Sequence, residues 1–553
     1  MTSAATAKTP RRIGVERAPN MSPQPRRAGL VQPQLPGSGG MTFGNLRAGP
    51  LVLSGTFGEA DVSGGQRNVI WAARPAAVWK ALQSQGHVVA AVFVPPWALA
   101  LGEAEWTLAL ALAPGVALPL GAGLAARRRG PPPGLRQIEG MAVFVLLFVV
   151  VAILAVPGFL ALGMPPLDAL FESVSGITST GLTLAQNTMD WPLAGHLLRA
   201  WMQWAGGFAI AVAGVALILG PGSGSRGAAQ SIGQAGIGER DLISSTRAQA
   251  RSLLIVYGLL TMAAILLLLP LMPSWWEAVA VALTAVSTGG FTPRPDSLAS
   301  YGTAAQVATL VICAATAVSL LGYIIAERSG PRLALRKSNA GPVLALLLAG
   351  LALTAGLAWR AGADPEGILA AALNYASGAT TAGFSVSAVS NAPAVVAMIL
   401  AGMVIGGGIG STAGGLKVDR LVVFARTVTL TSVRMRAPPR AVTVLEEHGH
   451  KVSPDRLIGM VAVALLYAGT LLAAWVIFLA AGQDALGALF DIVSALSTVG
   501  LSSGLTGPDL APGLKAVLIA AMLLGRLEFI ALLVVLSPGT WSPRPFQNSR
   551  KGA

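Results

Sequence analysis

The chain has 553 residues, of which 54% are hydrophobic and only 11% carry a charge. A soluble protein carries roughly 25% charged residues, so this composition excludes a soluble globular protein and indicates a polytopic α-helical membrane protein. The net charge is +14, which in a membrane protein is typical of basic cytoplasmic loops rather than of nucleic-acid binding. The single cysteine, Cys313, excludes an intramolecular disulfide and a thiolate metal cluster.

The N-terminal part divides into a polar tail and two apolar runs. Residues 1–65 are rich in Pro, Gly, Ser and Arg without hydrophobic periodicity, which predicts a disordered cytoplasmic tail. The apolar runs at 86–103 and 105–125 predict a pair of transmembrane helices within residues 66–130. The tail contains no signal-peptide core, so the first helix is expected to direct the chain into the membrane.

A pattern of long apolar run, short semi-apolar run and second long apolar run then occurs four times. This repetition predicts a structural unit of roughly 100 residues. The four units and a cytoplasmic C-terminal tail are expected at residues 131–225, 226–338, 339–445, 446–540 and 541–553.

The four short runs align on one glycine each. They read GITSTGLT, TAVSTGGF, GATTAGFS and ALSTVGLS, and a hydroxyl residue stands two positions before each glycine. One such triplet predicts nothing, but four at equivalent places favour a shared structural role. The anchor glycines are Gly181, Gly289, Gly383 and Gly500, and the hydroxyl residues are Ser179, Ser287, Thr381 and Thr498. Units one and four also share an acidic residue ahead of the loop, Glu172 and Asp491.

Basic residues cluster between the units. If each unit crosses the membrane twice and its short run enters and leaves on the outer side, these clusters and both termini are cytoplasmic, as the positive-inside rule requires. The clusters comprise Arg127, Arg128 and Arg129; Arg226, Arg240, Arg247 and Arg251; Arg328, Arg332, Arg336 and Lys337; and Arg420, Arg426, Arg434, Arg436 and Arg440.

Loops at membrane depth are tolerated only where they line a water-filled cavity or are buried in protein. Four similar re-entrant loops therefore predict a pseudo-fourfold arrangement about an axis. Backbone carbonyls beside glycine can there replace the hydration shell of a cation. The short helices before the loops point their partly negative C-terminal ends at the same place, which favours a cation further.

The segment 404–417, VIGGGIGSTAGGLK, interrupts the second long run of the third unit. Because a glycine inside a helix costs about 1 kcal/mol relative to alanine, this segment predicts a break. The other three second runs contain no comparable stretch, so only one break is expected. The phosphate-loop pattern is not met, because Leu416 precedes the lysine. Arg526 and Glu528 lie in the last apolar run, where ionisable residues are functional candidates.

These features resemble the TrkH/KtrB superfamily of bacterial potassium transporters over roughly residues 135–540. Besides the four loops, the resemblance rests on WAGGFAIAVAGVALILG (204–220), GGGIGSTAGGLK (406–417) and GRLEF (525–529). It implies an all-α fold of four fused, potassium-channel-like M1-P-M2 repeats with an extra N-terminal helix pair. It also implies potassium uptake across the bacterial inner membrane without a cofactor. A homodimer embedded in lipid and a cytosolic nucleotide-binding regulatory subunit of RCK type are implied as partners.

The resemblance further implies roles for particular residues. Glycine at all four anchors favours potassium over sodium, and the glycine-rich segment is expected to obstruct the pore, with Arg526 holding it closed. The expected filter residues are Ser179, Thr180, Gly181, Ser287, Thr288, Gly289, Thr381, Ala382, Gly383, Thr498, Val499 and Gly500. The expected gating residues are Gly406, Gly407, Gly408, Gly410, Ser411, Thr412, Gly414, Gly415, Lys417 and Arg526.

Two other function classes are weighed against a channel-like pore. A secondary transporter with alternating access, coupled to sodium or protons, also uses broken helices, but it favours inverted repeats. The basic loops give all four units one orientation, which disfavours that architecture, although coupling superimposed on a pore stays open. A membrane-embedded enzyme needs a cluster of reactive side chains at depth, and no nucleophile–base set is present.

Overall fold

The computed structural model describes residues 72–130, 134–219, 246–389, 392–438, 446–447, 450–452, 454–527 and 529–542. The expected N-terminal tail, Glu528 and residues 543–553 of the expected C-terminal tail lie outside this part. The described chain is helical apart from one antiparallel pair of two-residue strands, β1 (Glu446–Glu447) and β2 (His450–Lys451).

Three helices precede the repeated units: α1 (Pro75–Ser84), α2 (Gly86–Gly102) and α3 (Trp106–Arg128). Helices α2 and α3 approach each other closely at Gly86. A Cβ atom at this position would lie 1.9 Å from the Pro119 carbonyl oxygen. Only glycine permits that approach at this position.

Four helical triads follow, each with a long helix, a short helix and a second long segment. The first triad contains α4 (Gln137–Ala161), α5 (Pro166–Ile177) and α6 (Leu193–Leu219). The second contains α7 (Thr246–Leu268), α8 (Trp275–Val286), α9 (Thr303–Thr316) and α10 (Leu320–Ser329), followed by the connecting helix α11 (Pro331–Lys337). The third contains α12 (Ala340–Arg360), α13 (Pro365–Ala379), α14 (Pro393–Ile405) and α15 (Val418–Arg436). The fourth contains α16 (Pro454–Ala480), α17 (Ala485–Leu496), α18 (Pro512–Arg526) and α19 (Phe529–Leu536), and the short α20 (Pro538–Trp541) ends the described chain.

The long helices have the length and composition of membrane spans. Within the described residues, six helical segments are long and apolar enough to cross a bilayer, with α1 and α2 together counted as one. Two bent pairs, α9 with α10 and α18 with α19, also qualify when each is taken as one span. Large apolar side chains face outward along them, for example Leu259, Leu348 and Leu465, which are 66%, 64% and 68% exposed. Such outward faces suit lipid, and the chain is a multi-pass membrane protein.

The short helices are too short to span. Helix α5 has 12 residues and is therefore about 18 Å long, against about 30 Å of hydrocarbon. Pro166 and Pro365 occupy the first turn of their helices, where a missing N–H costs nothing. The Asp364 and Asp484 carboxylates accept the Gly367 and Gly487 N–H groups as N-caps.

Contacts between the triads form a closed cycle. Each short helix packs against both long helices of its own triad. Helix α6 also packs on α8, α9 on α13, α14 on α17, and α18 back on α5. The loops after the four short helices are consequently brought to one place.

Candidate functional site

The loops after the four short helices share one backbone conformation. In each loop a hydroxyl residue adopts the left-handed region, and a glycine two residues later again has a positive φ. The hydroxyl residues are Ser179, Thr288, Thr381 and Thr498, with φ of 50°, 51°, 54° and 49°. The glycines are Gly181, Gly290, Gly383 and Gly500, with φ of 93°, 80°, 74° and 105°.

This conformation corrects the expected alignment of the second loop. Its anchor is Gly290 rather than Gly289, and its left-handed hydroxyl residue is Thr288 rather than Ser287. Ser287 is instead the C-cap of α8 and has a helical φ of −82°. The sequence Ser-Thr-Gly-Gly contains the hydroxyl-x-glycine pattern in both registers, and only the backbone distinguishes them.

The four loops close into a ring. A Cβ on each anchor glycine would collide with the carbonyl oxygen of the residue that precedes the anchor glycine in the next loop. The separations would be 2.1 Å from Gly181 to Gly289 O, 2.5 Å from Gly290 to Ala382 O, 2.0 Å from Gly383 to Val499 O, and 2.4 Å from Gly500 to Thr180 O. Glycine is therefore required at all four anchors, both for its backbone angle and for the close approach of carbonyl oxygens.

Hydroxyl groups surround this ring and are fully buried. Ser175 Oγ accepts the Gly181 N–H at 3.1 Å, and Ser494 Oγ accepts the Gly500 N–H at 3.0 Å. Thr178 and Thr180 share a hydrogen bond of 2.7 Å between their hydroxyls. The site is thus built from neutral oxygen atoms.

The glycine-rich segment lies against the ring. Helix α14 ends at Ile405, and α15 begins at Val418. Between them, the Gly414 N–H donates to Thr381 Oγ1 at 2.6 Å, and the Gly415 N–H donates to the Ser497 carbonyl at 3.1 Å.

The segment also reaches the second loop and closes on itself. Thr288 Oγ1 lies 3.3 Å from Thr412 Oγ1, so three of the four loops contact the segment. The Leu416 and Lys417 N–H groups donate to the Val404 and Ile405 carbonyls, both at 2.9 Å. The segment is therefore a loop whose two ends are held together.

The expectation of a single break among the second helices is wrong. The α9–α10 pair bends by 76° after Thr316, and α18 ends at Arg526 before α19 begins at Phe529. Only α6 is continuous over its described length. At the first of these breaks, the Gly408 N–H donates to the Ala317 carbonyl and the Leu320 N–H donates to the Gly410 carbonyl, both at 3.0 Å. The glycine-rich segment therefore supplies partners for backbone groups that the broken helix leaves free.

Arg526 binds this segment from the fourth triad. It is buried, and its Nη1 donates to the Thr412 carbonyl at 2.9 Å and lies 3.4 Å from Thr498 Oγ1. Within the described residues, its Nε and Nη2 have no hydrogen-bond acceptor. The Lys417 ammonium donates to the Ala413 carbonyl of its own segment. Glu528, the other ionisable candidate in this run, lies outside the described residues.

Comparison with known families decides the class of protein. The family model TrkH, described as a cation transport protein, matches residues 144–326 and 363–542, more than half of the chain. The chain belongs to the TrkH family of cation transport proteins. The resemblance seen in the sequence is thereby confirmed, and membership in a transport family agrees with the exclusion of an enzyme.

Individual relatives cover most of this TrkH-family chain. It is 29% identical to the Trk system potassium uptake protein TrkH of Halomonas elongata, over 81% of this chain and 95% of that protein. It is 32% identical to the Trk system potassium uptake protein TrkI of the same organism, over 69% of this chain and 80% of that protein. The fold matches the crystal structure of the potassium transporter TrkH from Vibrio parahaemolyticus with a TM-score of 0.73 at 24% identity, covering 84% of this chain and 99% of that one.

Three loops of this TrkH-family chain are tied to their short helices by the same hydrogen bond. A polar side chain on the short helix accepts a backbone N–H twelve residues later. Leu184 N–H donates to Glu172 at 3.2 Å, Val386 N–H to Asn374 at 2.9 Å, and Ser503 N–H to Asp491 at 2.6 Å. The acidic residues were visible in the sequence, but Asn374 was missed because an amide carries no charge signal.

The second loop is tied differently. At the equivalent positions it has Val281, which cannot accept, and Pro293, which has no N–H to donate. Glu277 holds this loop instead, accepting from Arg294 Nε at 2.8 Å and from the Tyr301 hydroxyl at 2.5 Å. Hydrogen bonding to this carboxylate raises the pKa of the Arg294 guanidinium above its ordinary value. The second loop is thus also tied to its short helix, but by different residues.

A buried ion pair joins the first and second loops. Arg199 Nε donates to Glu172 Oε1 at 2.9 Å, and its Nη1 donates to the Thr292 carbonyl at 2.9 Å. The guanidinium carbon also lies 4.1 Å from the centre of the Phe291 ring. Arg199 was not singled out in the sequence, because its partners are distant along the chain.

Proposed function

We propose that this chain conducts potassium ions into the cell through one channel-like pore, with the ring of four loops as its selectivity filter. The observation that carries the proposal is the close approach of each anchor glycine to a carbonyl oxygen of the next loop. A closed ring of backbone oxygens can replace the water shell of a cation without charged ligands. The potassium uptake proteins among the relatives support potassium as the ion.

The cyclic packing supports four fused M1-P-M2 repeats in a pseudo-fourfold arrangement. Each triad supplies one short helix and one loop, and the second long helix of each triad contacts the short helix of the next. The C-terminal ends of the short helices adjoin the loops, so their dipoles favour a cation. The first two spans, Pro75–Gly102 (α1 with α2) and Trp106–Arg128 (α3), form the extra pair outside these repeats.

The pore requires one orientation in the membrane. Placing the basic clusters and both termini in the cytoplasm satisfies the positive-inside rule for a bacterial inner-membrane protein. The proposal includes no cofactor besides the transported ion. It includes a homodimer and a cytosolic RCK-type subunit, and the Trk system naming of the relatives supports a regulatory partner.

Ion flux in proteoliposomes tests the proposed function. The purified full-length chain should carry potassium at a higher rate than sodium, and it should restore growth at low potassium to cells that lack potassium uptake. Flux should follow the potassium gradient alone when the pH and sodium gradients are set to zero. Potassium flux no greater than that of empty vesicles, or flux only when a pH or sodium gradient is imposed, would contradict a channel-like pore.

We also propose that the segment 406–417 is the gate. It contacts three of the four loops, and the Arg526 hydrogen bond to the Thr412 carbonyl holds it there. Its glycines permit the backbone to bend when the gate opens. Three of the four second helices are broken, and each break lies at this segment or at Arg526, which binds the segment. This arrangement favours a joint movement of the three breaks over the motion of one isolated loop.

Replacing Arg526 by methionine should open the gate without weakening the fold. A hydrogen bond from a charged group contributes about 1.5–3 kcal/mol, so its loss should raise basal flux about 10- to 100-fold. Because a buried charge with few partners is costly, the melting temperature should stay the same or rise. Arg199→Met is the matched control for the stability measurement. It leaves Glu172 buried without its cation and should lower the free energy of unfolding by about 3–5 kcal/mol. Unchanged flux in a folded Arg526→Met protein would contradict the assigned role.

A further inference from the structure

Gln203 connects the first and second loops of the ring from the middle of α6. The residue is fully buried, and its backbone carbonyl accepts the Ser179 hydroxyl of the first loop at 2.7 Å. Its side chain points into the second loop, where Nε2 donates to the Gly289 carbonyl at 2.6 Å and Oε1 accepts the Phe291 N–H at 3.1 Å. One amide thus bonds to the backbone on both sides of the anchor Gly290.

The second loop has a glycine, Gly289, at the position against which this amide packs. A Cβ on Gly289 would lie 2.4 Å from Gln203 Oε1 and 2.5 Å from its Cδ. The other loops carry side chains at the equivalent position, namely Thr180, Ala382 and Val499. Gly289 does not have a positive φ, so its backbone angle does not require glycine. The glycine is explained by the space that Gln203 occupies.

The fourth triad has no such amide. Met522 lies as far after Gly500 as Gln203 lies after Gly181. Matching contacts support this equivalence. A Cβ atom at Gly206 would lie 1.9 Å from the Ile177 carbonyl oxygen, and a Cβ atom at Gly525 would lie 1.9 Å from the Leu496 carbonyl oxygen. A methionine side chain has no hydrogen-bond donor. The ring therefore has a chemical asymmetry centred on the second loop.

We propose that Gln203 is a specificity-determining positioning residue, a role that rests on the proposed potassium filter. The amide withdraws one lone pair of the Gly289 carbonyl from the ring and fixes the peptide between Gly289 and Phe291. A weaker carbonyl field disfavours the smaller sodium ion, whose water shell is harder to replace, and a fixed peptide prevents the ring from contracting around it. Both effects bear on the two quantities that set selectivity, field strength and cavity size.

The test compares the potassium-to-sodium flux ratio of Gln203→Met and the wild-type chain in proteoliposomes. Methionine keeps the length and burial of the side chain but makes neither hydrogen bond, so the ratio should fall at least about fivefold, the effect of one lost buried hydrogen bond. Met522→Leu, at the equivalent position of the fourth triad, is the matched control and should leave the ratio unchanged. A selective wild-type chain with an equally selective Gln203→Met variant would overturn the role of Gln203 alone, whereas an inactive wild-type chain would overturn the proposed function.

Gly289→Ala provides an independent variant if Gln203→Met does not fold. Alanine stands at the equivalent position of the third loop, Ala382, so the shared backbone conformation permits it. The new methyl group must nevertheless displace the Gln203 amide. The flux ratio should therefore fall as in Gln203→Met, and in the double variant the two effects should not add. Full selectivity in Gly289→Ala, or two effects that add in full, would show that the amide does not act on the filter.

Discussion

Gly383→Ala is expected to abolish selective potassium flux. The new Cβ would lie 2.0 Å from the Val499 carbonyl oxygen, far inside any tolerated contact, and Gly383 has a φ of +74°. Left-handed strain alone costs about 1–3 kcal/mol for a residue other than glycine, and the displaced carbonyl is one that faces the neighbouring loop. The measurement is the potassium-to-sodium flux ratio in proteoliposomes, which should approach one.

Gly469→Ala is the matched control for this substitution. Gly469 lies on α16, where a Cβ would meet no atom within 4 Å, so alanine should leave flux unchanged and slightly favour the helix. Retention of full selectivity in a folded Gly383→Ala chain would show that the ring is not the filter. The same substitution at Gly290 should be as severe as at Gly383, because Gly290 rather than Gly289 is the structural anchor of the second loop.

The long helices and the four-loop pattern were predictable because lipid imposes them. Apolar runs of sufficient length and loops flanked by them leave few alternatives, and the basic clusters predict one direction for each unit. The register of the second loop was not predictable, since Ser287-Thr288-Gly289-Gly290 satisfies the pattern twice. Backbone angles decide between the two registers, and these depend on contacts with the neighbouring loops.

The break between α9 and α10 shows a second limit of sequence reasoning. Residues 317–319 read Ala-Val-Ser and contain neither glycine nor proline, so nothing local predicts a bend. The break is stabilised from another triad by Gly408 and Gly410. Gln203 and Arg199 were missed for the same reason: each acts on a loop more than 80 residues away along the chain, and a single sequence contains no record of such pairings.

Deleting residues 407–414 should give the largest increase in basal flux. The deletion removes every described contact of the gate with the Thr288 and Thr381 loops, and it removes the Thr412 carbonyl that Arg526 binds. The deletion joins Gly406 directly to Gly415. This junction is feasible because the two residues are already neighbours: a Cβ atom on Gly415 would lie 2.9 Å from the Gly406 Cα. The hydrogen bonds from Leu416 and Lys417 to Val404 and Ile405 lie outside the deletion and should preserve the ends.

The deletion should be made together with Arg526→Met, because Arg526 would otherwise keep a buried charge without its carbonyl partner. Flux in this variant should exceed that of Arg526→Met alone, since that substitution removes one hydrogen bond while the deletion removes the obstruction itself. The potassium-to-sodium ratio should remain near that of the wild-type chain, because the four anchor glycines and their carbonyl contacts are untouched. A folded deletion variant that conducts no faster than Arg526→Met would contradict a gate in this segment. A faster variant that has lost selectivity would instead mean that the segment supports the ring, since the Gly414 N–H donates to Thr381 of the third loop.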